Sequence, residues 1–171
     1  MGRLIDDLLR LSRIARAELR REEVDVSAMA REVLAELGAA DPGRLVEAVV
    51  EEGLAVTADR SLLRIVLENL LQNAWKFTAR EPHARIEVGG RPGARPPEIF
   101  VRDNGAGFEM EYAAQIFKPF SRLHSPSDFA GTGIGLAIVE RVVRRHGGEI
   151  RAEGAVGGGA TFRFRLEAAA G

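Results

Sequence analysis

Residues 68–77 read ENLLQNAWKF. On a helix, Asn69 and Asn73 stand four apart and so share a face, and Lys76, seven on from Asn69, joins them. Two amide carbonyls beside phosphate oxygens suit a hard, oxygen-seeking ion such as Mg²⁺, and a nearby ammonium meets phosphate as a point charge. The same spacing also suits two exposed or capping asparagines on an amphipathic helix. Asp103-Asn104-Gly105-Ala106-Gly107 follows an apolar strand pattern. An ionised Asp only accepts hydrogen bonds and can take an exocyclic amine such as that of adenine, while the glycines permit close backbone approach; the alternative is a strand-ending turn. GTGIGL at 131–136 opens a helix, so its amides can face phosphate. It is not a P-loop, having no Lys-Ser or Lys-Thr after it. Its glycine spacing does not fit a dinucleotide turn either, and a ligand-free helix entry stays open. Gly157-Gly158-Gly159-Ala160-Thr161 turns into the last strand and offers the Thr161 hydroxyl, or is simply a hairpin turn.

The elements that must position these groups follow from hydrophobic period. Residues 3–20 predict a helix with Leu4, Ile5, Leu8, Leu9, Leu11 and Leu19 on one stripe, expected to pack on a partner helix. A short strand at 24–26 leads to Ser27 as N-cap of a helix to about residue 37. Asp41-Pro42-Gly43 marks a turn. Residues 45–50 and 53–57 read as the strands of a hairpin. Asp59 can cap a long helix to about residue 78, facing inward through Leu62, Leu63, Val66, Leu67, Leu70, Leu71 and Ala74. Strands are expected at 86–88 and 99–102, and residues 105–135, with five glycines and two prolines, read as a long irregular lid or binding loop with a short helix near 112–117. A helix at 134–146, stopped by Gly147-Gly148, precedes strands at 150–152 and 161–166. Helices and hairpin strands are segregated, which predicts an α+β fold: a two-layer sandwich with one mixed sheet covered on one face by helices, plus the N-terminal helix.

The bulk composition bounds the function. A chain of 171 residues, 46% hydrophobic and 29% charged, is long enough for one globular core and is not disordered. The net charge of −1 gives no general attraction for nucleic acid or for an acidic membrane. With no cysteine, disulfides, thiol nucleophiles and cysteine-held metals are excluded, in keeping with a cytoplasmic setting. No apolar run approaches the roughly 20 residues needed to span a bilayer, although a longer parent protein could be membrane-anchored.

Taken in order along the chain, the four segments resemble the catalytic ATP-binding domain of bacterial sensor histidine kinases, within the superfamily that includes gyrase, the heat-shock chaperone ATPases and the MutL proteins. The resemblance covers about residues 22–167 and is strongest to sensors of the PAS and phytochrome type, through NAWKFT, VRDNGAGF, F-x-RLH and GTGIGLA. It implies ATP and Mg²⁺ as ligands. Asn69 and Asn73 would hold Mg²⁺ and phosphate oxygens, Lys76 would contact phosphate, and Phe77 would lie along the nucleotide where the family often has tyrosine. Asp103 would take the adenine amine, Gly105 and Gly107 would let the chain pass the base, and Thr161 would support Asp103. Phe117 and Phe120 of IFKPF would anchor the lid, from which Arg122 reaches phosphate, and Gly131, Thr132, Gly133, Gly135 and Leu136 would shape the lid's end.

By the same resemblance, residues 1–21 look like the end of a dimerisation hairpin and 22–171 like the catalytic domain. The implied partners are a hairpin bearing the acceptor histidine, with the full-length protein a homodimer, and a response-regulator receiver domain. The family's acceptor histidine is followed by an acidic residue and Thr-Pro, a context that none of His83, His124 and His146 has. His146 is expected to be a cation complementing a helix C-terminus. The implied reaction is phosphoryl transfer from ATP to a histidine; an anti-sigma-type serine kinase, an ATPase of the same superfamily and a non-catalytic nucleotide- or partner-binding module stay open.

Overall fold

The structure, a computed structural model, describes residues 2–16, 18–91, 94–119 and 133–167. Four of the sequence-predicted site residues, Phe120, Arg122, Gly131 and Thr132, lie outside the described residues, as does His124.

The chain builds α1 (Gly2–Arg16), β1 (Arg21–Asp25), α2 (Val26–Ala40), β2 (Glu47–Val50), β3 (Ala55–Asp59), α3 (Arg60–Phe77), β4 (Arg85–Arg91), β5 (Glu98–Asp103), α4 (Gly135–Arg145), β6 (Glu149–Ala155) and β7 (Gly159–Arg165). A single 3₁₀ turn at Met110–Tyr112 stands where a short helix near 112–117 was expected. Five strands form one mixed sheet in the order β2-β4-β5-β7-β6. Its inner face, carrying Ile86, Val88, Ile99, Val101, Phe162 and Phe164, is buried under α2–α4. The other face is closed by its own side chains. Arg102 and Arg163 lie 4.9 and 5.5 Å from the Phe100 ring centre, and Arg151 pairs with Glu98 at 3.3 Å. The two-layer α+β expectation therefore holds, and α3 buries all seven of its expected inward residues.

Two strands pair otherwise than adjacency in sequence suggests. Residues 45–50 and 53–57 do not form a hairpin: β2 runs parallel to β4, and β3 pairs antiparallel with β1 in a separate two-stranded sheet. Ser27 is the reason. It is not the N-cap of α2, a role taken by Asp25, whose carboxylate accepts from the Ala28 amide at 2.9 Å. Instead the Ser27 hydroxyl donates to the Glu51 carbonyl and accepts from the Leu54 amide at 3.0 Å. The Val26 amide adds a bond to Leu54 O at 2.9 Å. The start of α2 thus grips the 51–54 turn and sends β3 away from β2 toward β1.

The first helix ends at Arg16 rather than at residue 20. Ile14, outside the predicted stripe, is buried, and Arg145 Nε donates to its carbonyl at 3.3 Å, docking the end of α1 on α4. Leu11 and Leu19 pack partly against the same core, while Leu4, Ile5, Leu8 and Leu9 remain exposed.

His146 is not the expected cation. It is fully buried, and burial lowers its pKa from 6.5 against the opposing bond to the Val142 carbonyl; Arg21, Asp59 and Arg145 are the charges that act on it. Its Nε2 lies 3.0 Å from the Asp59 amide, which can only donate, so Nε2 accepts and Nδ1 carries the proton given to Val142 O at 2.8 Å. A neutral ring therefore ties the C-terminus of α4 to the N-cap of α3. Because the folded pKa is depressed, this contribution is present above the unfolded value near 6.5 and is lost as pH falls toward the folded value. Compared with His146→Gln, the parent is expected to lose urea midpoint as pH falls below about 6.5, the difference between the two isolating the His146 contribution.

Candidate functional site

Four of the predicted site residues, Asn69, Asn73, Lys76 and Phe77, lie along the C-terminal half of α3, with Gly135 beside Asn69 and the 103–107 loop against the end of the helix. The helix begins at a firm N-cap, Asp59 Oδ1 accepting from Leu62 N at 3.1 Å, and its apolar stripe is fixed in the core. That leaves Asn69, Asn73, Lys76 and Phe77 half-buried along its remaining side. The Asn69 amide nitrogen donates to the Ile65 carbonyl at 2.8 Å, which leaves Oδ1 as the atom it presents. That oxygen faces the first residue of α4: a Cβ on Gly135 would lie 2.9 Å from it. The residue before α4, Ile134, contributes no side-chain cap to the first amides of this helix, so the positive end of its dipole meets the asparagine face. Of the predicted glycines at this end, Gly135 thus lies beside Asn69. The Lys76 ammonium sits 4.9 Å from the centre of the Phe77 ring.

Glu68, the neighbour of Asn69, is turned elsewhere. Arg64 Nε donates to it at 2.9 Å, and the same guanidinium binds Glu32 and Glu36 on α2. Held by this carboxylate, the Arg64 guanidinium braces α3 to α2.

Asp103 closes β5 and is buried. Burial pushes its carboxyl up from 3.8 to about 6, against the opposing pull of the Gly105 and Ala160 amides. The Gly105 amide donates to Asp103 Oδ1 at 2.8 Å. Asn104 pins the loop to β4, accepting from Arg85 N and donating to His83 O, both at 2.8 Å. The loop glycines serve the chain's own packing. A Cβ on Gly105 would lie 2.2 Å from the Phe77 carbonyl, and one on Gly107 would lie 1.9 Å from the Ala155 carbonyl. The 103–107 loop is thereby wedged between the end of α3 and the β6–β7 hairpin, to which Ala106 O is bonded by the Gly157 amide at 2.8 Å.

Thr161 is placed differently from its expected role. In the β5–β7 register Thr161 faces Arg102, and Asp103 faces Ala160. Directly paired residues share a face, so the Thr161 hydroxyl lies on the far side of the sheet from Asp103 and accepts from Arg102 Nε at 3.2 Å. The residue of that segment that reaches Asp103 is Ala160, through its amide. Phe117, expected as a lid anchor, is buried edge-on against Phe162, ring centres 6.2 Å apart. Among the described residues no cluster of three or more His, Asp or Glu side chains forms a metal centre, so an ion here would rely on amide and phosphate oxygens. The fixed outward turn of Asn69 Oδ1 fits that donor type.

Residues 58–170 match the family described as histidine kinase-, DNA gyrase B- and HSP90-like ATPase. The sequence is 38% identical over 175 residues to cyanobacterial phytochrome B of Nostoc sp., covering 98% of this chain and 22% of that protein. It is 35% identical over 167 residues to the methanogenesis regulatory histidine kinase FilI of Methanothrix harundinacea, covering 97% of this chain and 19% of that protein. The chain thus spans about a fifth of the length of these curated relatives. Among solved structures, full-length ShkA in complex with AMPPNP aligns with a TM-score of 0.77 and 26% identity, covering 98% of this chain and 36% of that one.

Proposed function

The chain belongs to the histidine kinase-, DNA gyrase B- and HSP90-like ATPase family, and from that premise we propose that it is the phosphate-donating domain of a two-component sensor histidine kinase. The observation that carries the reading is the meeting of Asn69 Oδ1 with the start of α4, which brings two segments far apart in sequence to one spot where an amide oxygen meets the positive end of a helix dipole. In this reading the carboxylate of Asp103 takes the adenine amine and Phe77 lies along the nucleotide. Asn69 and Asn73 hold Mg²⁺, and Lys76 meets the phosphates with the α4 N-terminus. Magnesium, when bound, neutralises phosphate charge. The chain's own residues then orient the γ-phosphorus for in-line attack by an imidazole nitrogen. The bond to the β–γ bridging oxygen breaks as the P–N bond forms, and ADP leaves.

The acceptor histidine would stand on a dimerisation hairpin, and the phosphoryl group would pass on to a receiver-domain aspartate. Among the described residues, His146 is fully buried and bonded at both ring nitrogens, unsuited to accept. No helix among the described residues is long and apolar enough to cross a membrane. The test is direct. This chain, mixed with a matching hairpin fragment, Mg²⁺ and labelled ATP, is expected to yield acid-labile, base-stable phosphate on the hairpin, and Asn73→Asp is expected to abolish it. Acid-stable phosphate would instead indicate a serine kinase of the same superfamily.

A further inference from the structure

Arg44 belongs to none of the segments discussed above; it lies between α2 and β2. Its guanidinium reaches the last turn of α3, where one nitrogen donates to the Trp75 carbonyl and the other to Thr78 Oγ1 at 2.6 Å. The guanidinium carbon also sits 5.0 Å from the centre of the Trp75 ring. The indole N–H donates to Asp41 Oδ2 at 3.3 Å, and the Arg44 amide donates to Asp41 O at 3.1 Å, so the turn and the helix end hold each other. Thr78 Oγ1 in turn donates to Ala74 O at 2.7 Å.

The last carbonyls of a helix have no partner within it, and here Arg44 and Thr78 supply side-chain donors to two of them. The last carbonyl of the helix, that of Phe77, accepts from Ala106 N at 3.1 Å and is the surface on which Gly105 rests. The turn that Arg44 closes therefore bears Asn73 and Lys76 on one side and seats the Asp103 loop on the other. We propose that Arg44, with Trp75 and Asp41, is a positioning clamp for the nucleotide pocket, fixing the separation between the phosphate-side residues of α3 and the adenine-side loop. This rests on the ATP-binding reading above. Its effect is exerted through Phe77 O and the 103–107 loop, and errors of about 1 Å in such alignment can cost up to about 100-fold.

Trp75 is the only tryptophan of the chain, so its emission reports on the clamp. Arg44→Ala and Arg44→Lys are compared with the parent by titration with a fluorescent ATP analogue and Mg²⁺, thermal unfolding, and amide hydrogen exchange without nucleotide. Arg44→Ala is expected to weaken nucleotide binding about tenfold, shift Trp75 emission and speed exchange at Ala106. Arg44→Lys, which keeps the charge but not the fork, is expected to rescue little of this. Val56→Ala, a core change in β3, serves as control and lowers Tm with affinity unchanged. Slow parent-like exchange at Ala106 together with affinity within twofold of the parent would overturn the clamp, and Arg44→Lys decides by the same two criteria if Arg44→Ala does not fold. A parent that fails to bind nucleotide overturns the ATP reading alone, since the Ala106 exchange needs no nucleotide.

Discussion

Asp103→Asn is expected to lower ATP affinity about 100-fold while leaving the empty domain more stable than the parent. The two halves of this expectation have one cause. Burial holds the carboxyl up at about 6, so at neutral pH the empty pocket carries an ionised group at a cost of roughly 3 kcal/mol relative to the unfolded chain. A folded pKa above the unfolded one means that this group favours the native state fully below about pH 4, and that the benefit disappears as pH rises through about 6. The amide variant removes that cost. It keeps an acceptor for the Gly105 amide but sets an N–H₂ against the Ala160 amide, so the net gain is about 1 kcal/mol, or about 2–4 °C in Tm. What is lost is the charged acceptor for the adenine amine, a bond worth about 1.5–3 kcal/mol.

The pH dependence has a definite sign as well. The amine favours the ionised carboxyl, so ATP affinity in the parent falls as pH drops through about 6, and the difference between parent and variant narrows there. Titration with a fluorescent ATP analogue at several pH values, beside thermal unfolding, measures both. Affinity within threefold of the parent would remove Asp103 from the pocket. The stability contribution of His146 runs the other way, so the acid loss in urea is expected to be steeper in Asp103→Asn than in the parent.

The second large effect is on the fold. Gly107→Ala is expected to destabilise the domain by about 4 kcal/mol, lowering Tm by about 10 °C. At φ +66° any side chain is strained, and the added Cβ would lie 1.9 Å from Ala155 O and 2.7 Å from Gly159 O, both backbone atoms of the β6–β7 hairpin. Gly157 separates the two causes. Its φ is +74° but nothing lies within 4 Å of the added Cβ, so Gly157→Ala pays the left-handed conformation alone, about 1 kcal/mol. Equal losses in the two variants would show that the loop yields to the methyl group and is not wedged.

Much of this was legible in the residues themselves, for identifiable reasons. The apolar stripe of α3 repeats at the helical period, so its buried face and hence the side bearing Asn69 and Asn73 could be read directly. Asp103 follows an apolar strand run, and it does end a strand. What escaped depends on pairing between distant segments. Adjacency made β2 and β3 look like a hairpin, because nothing local reveals that Ser27 holds the turn between them. The hydroxyl of Thr161 draws attention to that residue, while Ala160 carries no side-chain sign of its role. A shift of one residue in a strand exchanges its faces, and only the β5–β7 register shows which one lies against Asp103. His146 looked like a helix-end cation because the strand end that caps it, at Asp59, is 87 positions away. Arg44 carries no motif, and its aromatic and carbonyl partners are more than 30 positions off.

The sheet order also bears on how the domain comes into being. β4 and β5 are joined by a short connection and can pair as soon as both exist, but the other neighbour of β5 is β7, with Arg102 and Thr161 separated by 59 positions. During synthesis β5 must therefore wait, one edge unsatisfied, until nearly all of the described chain has left the ribosome. The buried side of Asp103 is completed by the Ala160 amide, so the end of the proposed pocket assigned to adenine would be among the last features to form. A nascent or truncated chain that stops before β7 would hold the asparagine helix and the Asp103 loop and still bind no nucleotide, so that ATP can engage only a domain whose central strand is already sealed.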